Sequence, residues 1–350
     1  MQCLVLHIGT PKTGTTSIQK AFNRNKKILL QEDTLYPLSS SINNTYAHHN
    51  FCYEYSPGLR GKYNTKKGGT AQIAEEFNNS PAKNLILSSE ALKSLPRENV
   101  CYLLSTVVNK FKPKKIIVVL YVRRSDLYIH SGFVQNCKLG VKSLAEPESY
   151  IYSMRNIAAY DTLFLNWNNA LKAIKPETAL IVRPFSKELL TDKCVVKDFL
   201  ALLARENIIS ESISKNPDFK ITNANDKPKL SHLAIRWHLR KILESKGKTM
   251  TVKIAVESSR ILDENGYNDS FDSFTLFSLE QALEIYKSCL PSTKRLCSWL
   301  NNSELTKCLT AEPTINQFPG LPDDFDIYST KYSEMANLLI GEHKLDRFSA

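Results

Sequence analysis

The segment Cys3-Leu4-Val5-Leu6-His7-Ile8-Gly9-Thr10-Pro11-Lys12-Thr13-Gly14-Thr15-Thr16-Ser17-Ile18-Gln19-Lys20-Ala21-Phe22 passes from an apolar run of strand length, through a loop with two glycines, into a stretch with apolar residues at Ile18, Ala21 and Phe22. Spacings of three and four are helical, whereas a short continuous apolar run bounded by glycine reads as a buried strand. The order is therefore strand, loop, helix. In that geometry the N–H groups of the loop and of the first helical turn converge without partners inside the helix, and the helix dipole adds partial positive charge. Such a point is an anion site suited to phosphate or sulfate. Lys12 adds a full charge within the loop, and Thr15 and Thr16 place hydroxyls at the helix start. Gly9, Thr10, Pro11, Lys12, Thr13, Gly14, Thr15 and Thr16 are the candidate binding residues. The alternative is a strand-to-helix turn with no ligand.

Spacing narrows the ligand. A nucleoside-triphosphate loop reads G-x-x-x-x-G-K-[ST], with lysine directly after the second glycine and a hydroxyl for magnesium. Gly9 and Gly14 keep the glycine spacing, but Thr15 follows Gly14 and the lysine stands at position 12. The loop can still grip a 5′-phosphate, yet it lacks the arrangement for a metal-bound triphosphate.

Downstream, strand patterns alternate with helical ones. Asn84 to Ser88 reads as a second strand, Lys115 to Val122 as a third and most apolar one, and Ala179 to Val182 as a fourth, closed by Arg183-Pro184. Helices are expected from Thr15 to about Leu30, Thr70 to Phe77, Pro96 to Lys110, Ser125 to Lys138 and Tyr150 to Lys172, the last broken near Tyr160-Asp161. Tyr53 to Gly69 reads as a mobile surface loop. Beyond Thr191 the pattern is helical, with polar breaks near Asn216 to Lys229 and Glu264 to Asp272. Alternating strands and helices indicate an α/β fold of the P-loop type: three layers around a central, mainly parallel sheet, with ligands at the strands' C-terminal ends. The expected organisation is one domain, with an α/β core over 1–210 and a mainly helical extension over 211–350.

Arg123, Arg124 and Ser125 fall at the C-terminal end of the third strand. Ser131 lies eight residues past Arg123, about two turns up the next helix, so both side chains can face one bound group. Arginine grips phosphate bidentately and serine adds a hydroxyl.

Two segments carry a family resemblance. H-I-G-T-P-K-T-G-T-T-S-I-Q resembles the 5′-phosphosulfate loop of sulfotransferases that use 3′-phosphoadenosine 5′-phosphosulfate, closest to their bacterial and heparan-sulfate-type carbohydrate branch. Y-V-R-R-S-D-L-Y-I-H-S-G-F-V-Q, with its R-x7-S pair at Arg123 and Ser131, resembles their 3′-phosphate segment, and Gln135 and Lys138-Leu139-Gly140 fit the same branch. The resemblance covers roughly residues 4 to 205. It implies transfer of a sulfuryl group to a hydroxyl of a carbohydrate or glycolipid, releasing adenosine 3′,5′-bisphosphate, with no metal.

Such a transfer needs a base for the hydroxyl proton and positive charge on the departing phosphate oxygen. Lys12 suits the second task. For the base, Glu90 ends the second strand at the ligand edge, and His48-His49 lie in the loop before it; imidazole accepts a proton near neutrality without a shift. Relatives use either residue type, and the choice between His48, His49 and Glu90 stays open. Among the other polar and aromatic groups, His7 is expected to be a hydrogen-bonded core residue, His130 to face solvent, and Trp167, Trp237 and Trp299 to be core.

The net charge of +11 suits a polyanionic ligand. The basic residues are dispersed, and no aromatic-interleaved basic patch suggests nucleic acid. A nucleotide kinase and a non-enzymatic polyanion-binding protein on the same scaffold are the alternatives. No apolar run reaches the length of a membrane span, which leaves peripheral contact with a membrane open. Eight cysteines without a C-x-x-C pair fit reduced thiols, with one bridge among Cys289, Cys297 and Cys308 as an alternative. With no basic leader, the expectation is a cytoplasmic, bacterial protein, or a chain trimmed of the N-terminal anchor that Golgi sulfotransferases carry.

Overall fold

Successive side chains of a strand point to opposite faces, so a strand buried on both faces must be apolar throughout. Cys3–His7 (β1), Asn84–Ser88 (β3) and Lys115–Val122 (β4) are apolar along their middles, with polar residues only at their ends. With Thr34–Leu35 (β2) and Glu177–Pro184 (β5) they form one all-parallel sheet in the order β2-β3-β1-β4-β5. β1 is the middle strand, its Cys3 aligned with Asn84 on one side and Lys115 on the other. The computed structural model describes residues 1–42, 46–142, 144–154, 158–216, 218–221, 229–267 and 274–349.

The chain divides into two compact units, each assembled from separate segments. The first comprises Met1–Arg123, Ala159–Ala224 and Ser292–Thr310. It holds the sheet and its two helical layers. One layer covers Leu4 and Leu6 of β1, Ile8 just after it, and Ile116, Val118, Leu120 and Val122 of β4 with helices His49–Tyr55, Thr70–Asn78, Arg97–Phe111, Tyr160–Lys172 and Ser303–Leu309. The other covers Cys3, Val5, Ile117, Val119 and Tyr121 with Thr15–Arg24 (α1) and the Val195–Arg205 helix. Phe199 is central to this second layer, with its ring 5.3 Å from Phe22 and 5.2 Å from His7. The architecture is thus three-layered α/β.

The second unit comprises Arg124–Ala158, Asn225–Pro291 and Ala311–Ala350. Its described elements are helices: among them Ser125–Lys138, Pro147–Met154, Leu230–Ser245, Val252–Glu264 and Thr330–Gly341. One core gathers Ile129, Phe133, Leu233, Phe277 and Phe318, and another gathers Ile235, Leu239, Ile254, Tyr332 and Leu339. No helix among the described residues is long and apolar enough to cross a membrane. All eight cysteines are present as thiols.

Several expectations need correction. The first helix ends at Arg24 and a separate one spans Lys26–Gln31. Asn25 stands at the break, with φ −102° and ψ 18°, and its side-chain amide donates to the carbonyls of Ala21 (2.7 Å) and Lys220 (2.9 Å), tying the turn to a distant segment. Tyr53 to Gly69 is ordered as short helical turns, Pro57–Lys62 and Thr65–Lys67. There the buried Asn50 accepts from Asn64 N–H and donates to the carbonyls of Asn64 and Gly68. The edge strand β2 was not foreseen. Helices Pro147–Met154 and Tyr160–Lys172 stand where one interrupted helix was expected. The polar breaks near 216–229 and 264–272 fall largely outside the described residues.

Truncating Phe199 to alanine removes a fully buried ring from the layer beneath the sheet. The expected cost is about 3–5 kcal/mol, read as a lower urea midpoint of the full chain.

Candidate functional site

The site begins where β1 ends. Ile8 N–H still bonds Val119 O (3.0 Å), Tyr121 N–H bonds Gly9 O (2.7 Å) and Thr10 N–H bonds Tyr121 O (2.9 Å), so the first loop residues stay zipped to β4. The Thr10 hydroxyl also donates to Tyr121 O, and the Thr13 hydroxyl closes the loop onto Thr10 O. Lys12 (φ 64°) and Gly14 (φ 76°) then take left-handed conformations that turn the chain into α1. Gly14 has a second reason to be glycine: a Cβ there would stand 2.6 Å from Val195 Cγ1 and 3.3 Å from Phe185 Cε2. Ser17 and Ile18 N–H bond Gly14 O. Thr15 and Thr16 N–H stand in the first turn, where no intrahelical acceptor exists. The α1 terminus carries no side-chain cap and no acidic residue in its first turn, so its partial positive charge is not offset from within the helix. Of the loop threonines, Thr10 and Thr13 are engaged in holding the loop's shape, while Thr15 and Thr16 stand at the helix start.

Arg123 follows β4. Its Nη1 lies 3.4 Å from Lys12 O, its guanidinium sits 5.6 Å from the Phe185 ring centre, and its carbonyl accepts from Tyr160 Oη at 2.9 Å. Lys12, Gly14, Phe185 and Arg123 therefore converge on one corner of the first unit. Arg124, in the second unit, is a different residue in function. It is buried and forms a two-pronged ion pair with Asp126, at 2.7 and 2.6 Å. Ser131, Gln135 and Lys138 lie on the Ser125–Lys138 helix of the second unit.

The three candidate bases separate clearly. His48 is fully buried, Ser88 N–H donates to its Nδ1 (3.0 Å), and its Nε2 lies 2.9 Å from Pro37 O. The tautomer follows: Nδ1 accepts, so Nε2 carries the proton and donates. Burial pushes its pKa down to about 4. With both nitrogens committed to main chain, His48 fastens its loop to β3 and has no free lone pair. His49 differs. Its side chain is 15% exposed, its Nδ1 lies 2.8 Å from Ser89 Oγ, and its Nε2 faces Glu90 Oε1 at 3.6 Å. Burial lowers its pKa below the ordinary histidine value, and the Glu90 carboxylate partly opposes that shift. Tyr53 stacks on the imidazole at 6.1 Å. Glu90 itself lies hard against the loop: a Cβ on Gly9 would meet Glu90 Cβ at 2.9 Å. The loop and the His49–Glu90 pair thus adjoin.

Sequence reasoning assigned no role to Gln19, whose amide Nε2 donates to Glu90 Oε2 at 2.9 Å. A signal existed, because Gln19 falls among Thr15, Ile18 and Phe22 on the buried side of α1, where a polar residue needs a reason. His7 is a core residue, its Nδ1 at 2.8 Å from Ser88 Oγ. His130 does not simply face solvent: it accepts from Leu276 N–H at 3.1 Å and packs against Phe277 and Phe318. Trp167 is core, whereas Trp299 is 43% exposed and stacks on Phe164. Arg183 and Asp198 form a partly buried ion pair, and Tyr121 Oη donates to the same carboxylate at 2.7 Å. Asp161 accepts from Arg295 and Ser292.

Compared with curated proteins, the chain is 31% identical over 151 residues to an uncharacterized protein of Archaeoglobus fulgidus. The match covers 43% of this chain and 36% of that protein, so it spans about a third of the relative's length. No family model matches the chain, and no solved structure matches it.

Two outcomes follow from this geometry. Because the folded pKa of His48 is depressed to about 4, the unfolded chain binds that proton first as pH falls. The His48 contribution is fully present above about pH 6.5 and lost between there and pH 4, on the order of 3 kcal/mol in all. Urea midpoints across that range, with histidine resonances showing His48 neutral at pH 5.5, check it. Gly14→Ala should cost about 1–3 kcal/mol for the left-handed backbone and the Val195 contact, seen as a fall in melting temperature.

Proposed function

We propose that this chain is a sulfotransferase that moves a sulfuryl group from 3′-phosphoadenosine 5′-phosphosulfate to a hydroxyl of a carbohydrate or glycolipid, acting in the cytoplasm. One observation carries the reading: a proton-accepting pair, His49–Glu90, abuts the first glycine of an uncapped, lysine-bearing anion loop. An anion grip alone would serve any phosphate ligand. A base set beside it serves transfer to a hydroxyl.

The donor supplies an activated sulfuryl group whose leaving oxygen belongs to a phosphate. Around it the chain's residues divide the work. The Thr15 and Thr16 N–H and hydroxyl groups and Lys12 bind the 5′-phosphate end, and Arg123, whose segment resembles a 3′-phosphate site, takes the 3′-phosphate. His49, neutral near pH 7, takes the acceptor's proton as its oxygen bonds to sulfur. As the bond from sulfur to the phosphate oxygen breaks, that oxygen keeps the electron pair, and Lys12 stabilises its charge. Glu90 then faces an imidazolium and stabilises it across the 3.6 Å gap.

The test is the melting temperature of the full chain with adenosine 3′,5′-bisphosphate, against AMP, ADP and ATP with magnesium. A ligand bound only to the folded state adds about 2.7 kcal/mol at a hundredfold excess over its Kd. The bisphosphate should give the largest shift, and Arg123→Ala should abolish it. A larger shift with ATP and magnesium would replace this reading with a kinase. Equal, salt-sensitive shifts with any polyanion would reduce the site to electrostatic binding. Given a sulfated product, His49→Ala should lower kcat by roughly 10²–10⁴ with the bisphosphate shift intact.

A further inference from the structure

Gln19 is the seventh residue after Lys12 and fully buried within α1, beneath the anion loop that opens the helix. Its amide nitrogen makes two contacts, to Glu90 Oε2 at 2.9 Å and to Ser88 Oγ at 3.2 Å. Ser88 Oγ lies in turn 2.8 Å from His7 Nδ1, and both Ser88 and His7 are wholly buried. The amide's orientation follows from its partners, since a carboxylate only accepts, so the NH₂ side must face Glu90. That orientation leaves the Gln19 carbonyl oxygen buried without a hydrogen-bond partner among the described residues. An aliphatic residue at position 19 would fill the same core without stranding an oxygen. The compensating feature is what the nitrogen holds. Glu90 has one oxygen tied to Gln19 and the other turned to His49 Nε2 at 3.6 Å.

We propose that Gln19 is a positioning residue: anchored through Ser88 and His7, it fixes the Glu90 carboxylate so that its free oxygen faces His49 and tunes that imidazole. The proposal rests on the reading of His49 and Glu90 as the proton-transfer pair, and it names the group that sets their alignment. It couples the helix that opens on the anion loop to the base, because one element carries both the donor-binding turn and the clamp on Glu90. The groups facing His49 are the adjacent His48, which is neutral above about pH 4, the stacked Tyr53 phenol, raised above its ordinary pKa, the Ser89 hydroxyl, and Glu90. Of these, the Glu90 carboxylate raises the His49 pKa against the lowering by burial.

The test follows the His49 ring resonance through a pH titration of the full chain, in wild type, Gln19→Leu, Glu90→Gln and the double variant. Residue 19 acts on His49 only through Glu90 in this scheme. Gln19→Leu should therefore lower the His49 pKa by roughly one unit, the size of shift a neighbouring carboxylate gives. Glu90→Gln should lower it by a similar amount, and adding Gln19→Leu to Glu90→Gln should change it no further. Gln19→Met, close in volume and more adaptable, takes the place of Gln19→Leu if the leucine variant does not fold. A merely structural glutamine would reduce the melting temperature and leave the His49 titration in place, which would overturn the proposal. So would a shift of equal size in the wild-type and Glu90→Gln backgrounds. Bisphosphate binding is read separately, so its failure would overturn the transfer reading and leave the coupling standing.

Discussion

Tyr121 exchanges two main-chain hydrogen bonds with the start of the loop, receiving from Thr10 N–H and donating to Gly9 O, and the site hangs from that exchange. Without it the chain leaving β1 could splay from the sheet edge, and the glycines would have no fixed turn to make. The same residue's phenol reaches Asp198, on the helix whose Val195 crowds Gly14. One interior residue thus sets both ends of the anion loop, its entry through the backbone and its exit through the Val195–Arg205 helix. Burial by itself raises the Asp198 pKa, but the hydrogen bonds from Arg183 and the Tyr121 phenol outweigh it and hold the carboxyl below the carboxylate norm.

The polar groups of the site share a single address in the sheet. The loop follows β1, Glu90 follows β3 and Arg123 follows β4, all at strand C-termini, and β1 is flanked by β3 and β4. Parallel strands deliver this arrangement because every crossover returns the chain to the same edge. The helices that make those crossovers bury the apolar faces, so the chemistry is left to short segments whose shape the sheet dictates. This is why a Cβ on a glycine in one of them, Gly9, would meet the Cα and Cβ of a residue eighty-one positions away, Glu90.

Much of this was legible from the chain alone. Asn84–Ser88, Lys115–Val122 and the Ser125–Lys138 helix fall within the expected boundaries, because continuous apolar runs and a 3.6-residue rhythm each have one interpretation when bounded by clear breakers. The glycine loop was equally plain. The misreadings share a cause, namely side chains that bond to distant backbone. Asn25, at the end of a helix, bonds residue 220, and Asn50 orders the segment after Tyr55 by gripping Asn64 and Gly68. Neither contact leaves a local pattern. His48 and His49 are adjacent and chemically identical in the sequence. Only the fold distinguishes the one stitched to Ser88 and Pro37 from the one turned to Glu90. Gln19 was visible as a polar residue on an apolar face, but its partner was not.

The first unit draws its core from three stretches of chain, and the last of them lies far along the sequence. Leu296, Cys297, Leu305 and Leu309 complete the same apolar layer as Leu4, Leu6 and Trp167. During synthesis that layer stays open until residue 310 has left the ribosome. At 5–20 residues per second the wait is roughly 15–60 s. The strands and the four earlier helices of that layer therefore wait for the last patch of their cover, the side chains of Leu296, Cys297, Leu305 and Leu309, which arrives only near the end of translation.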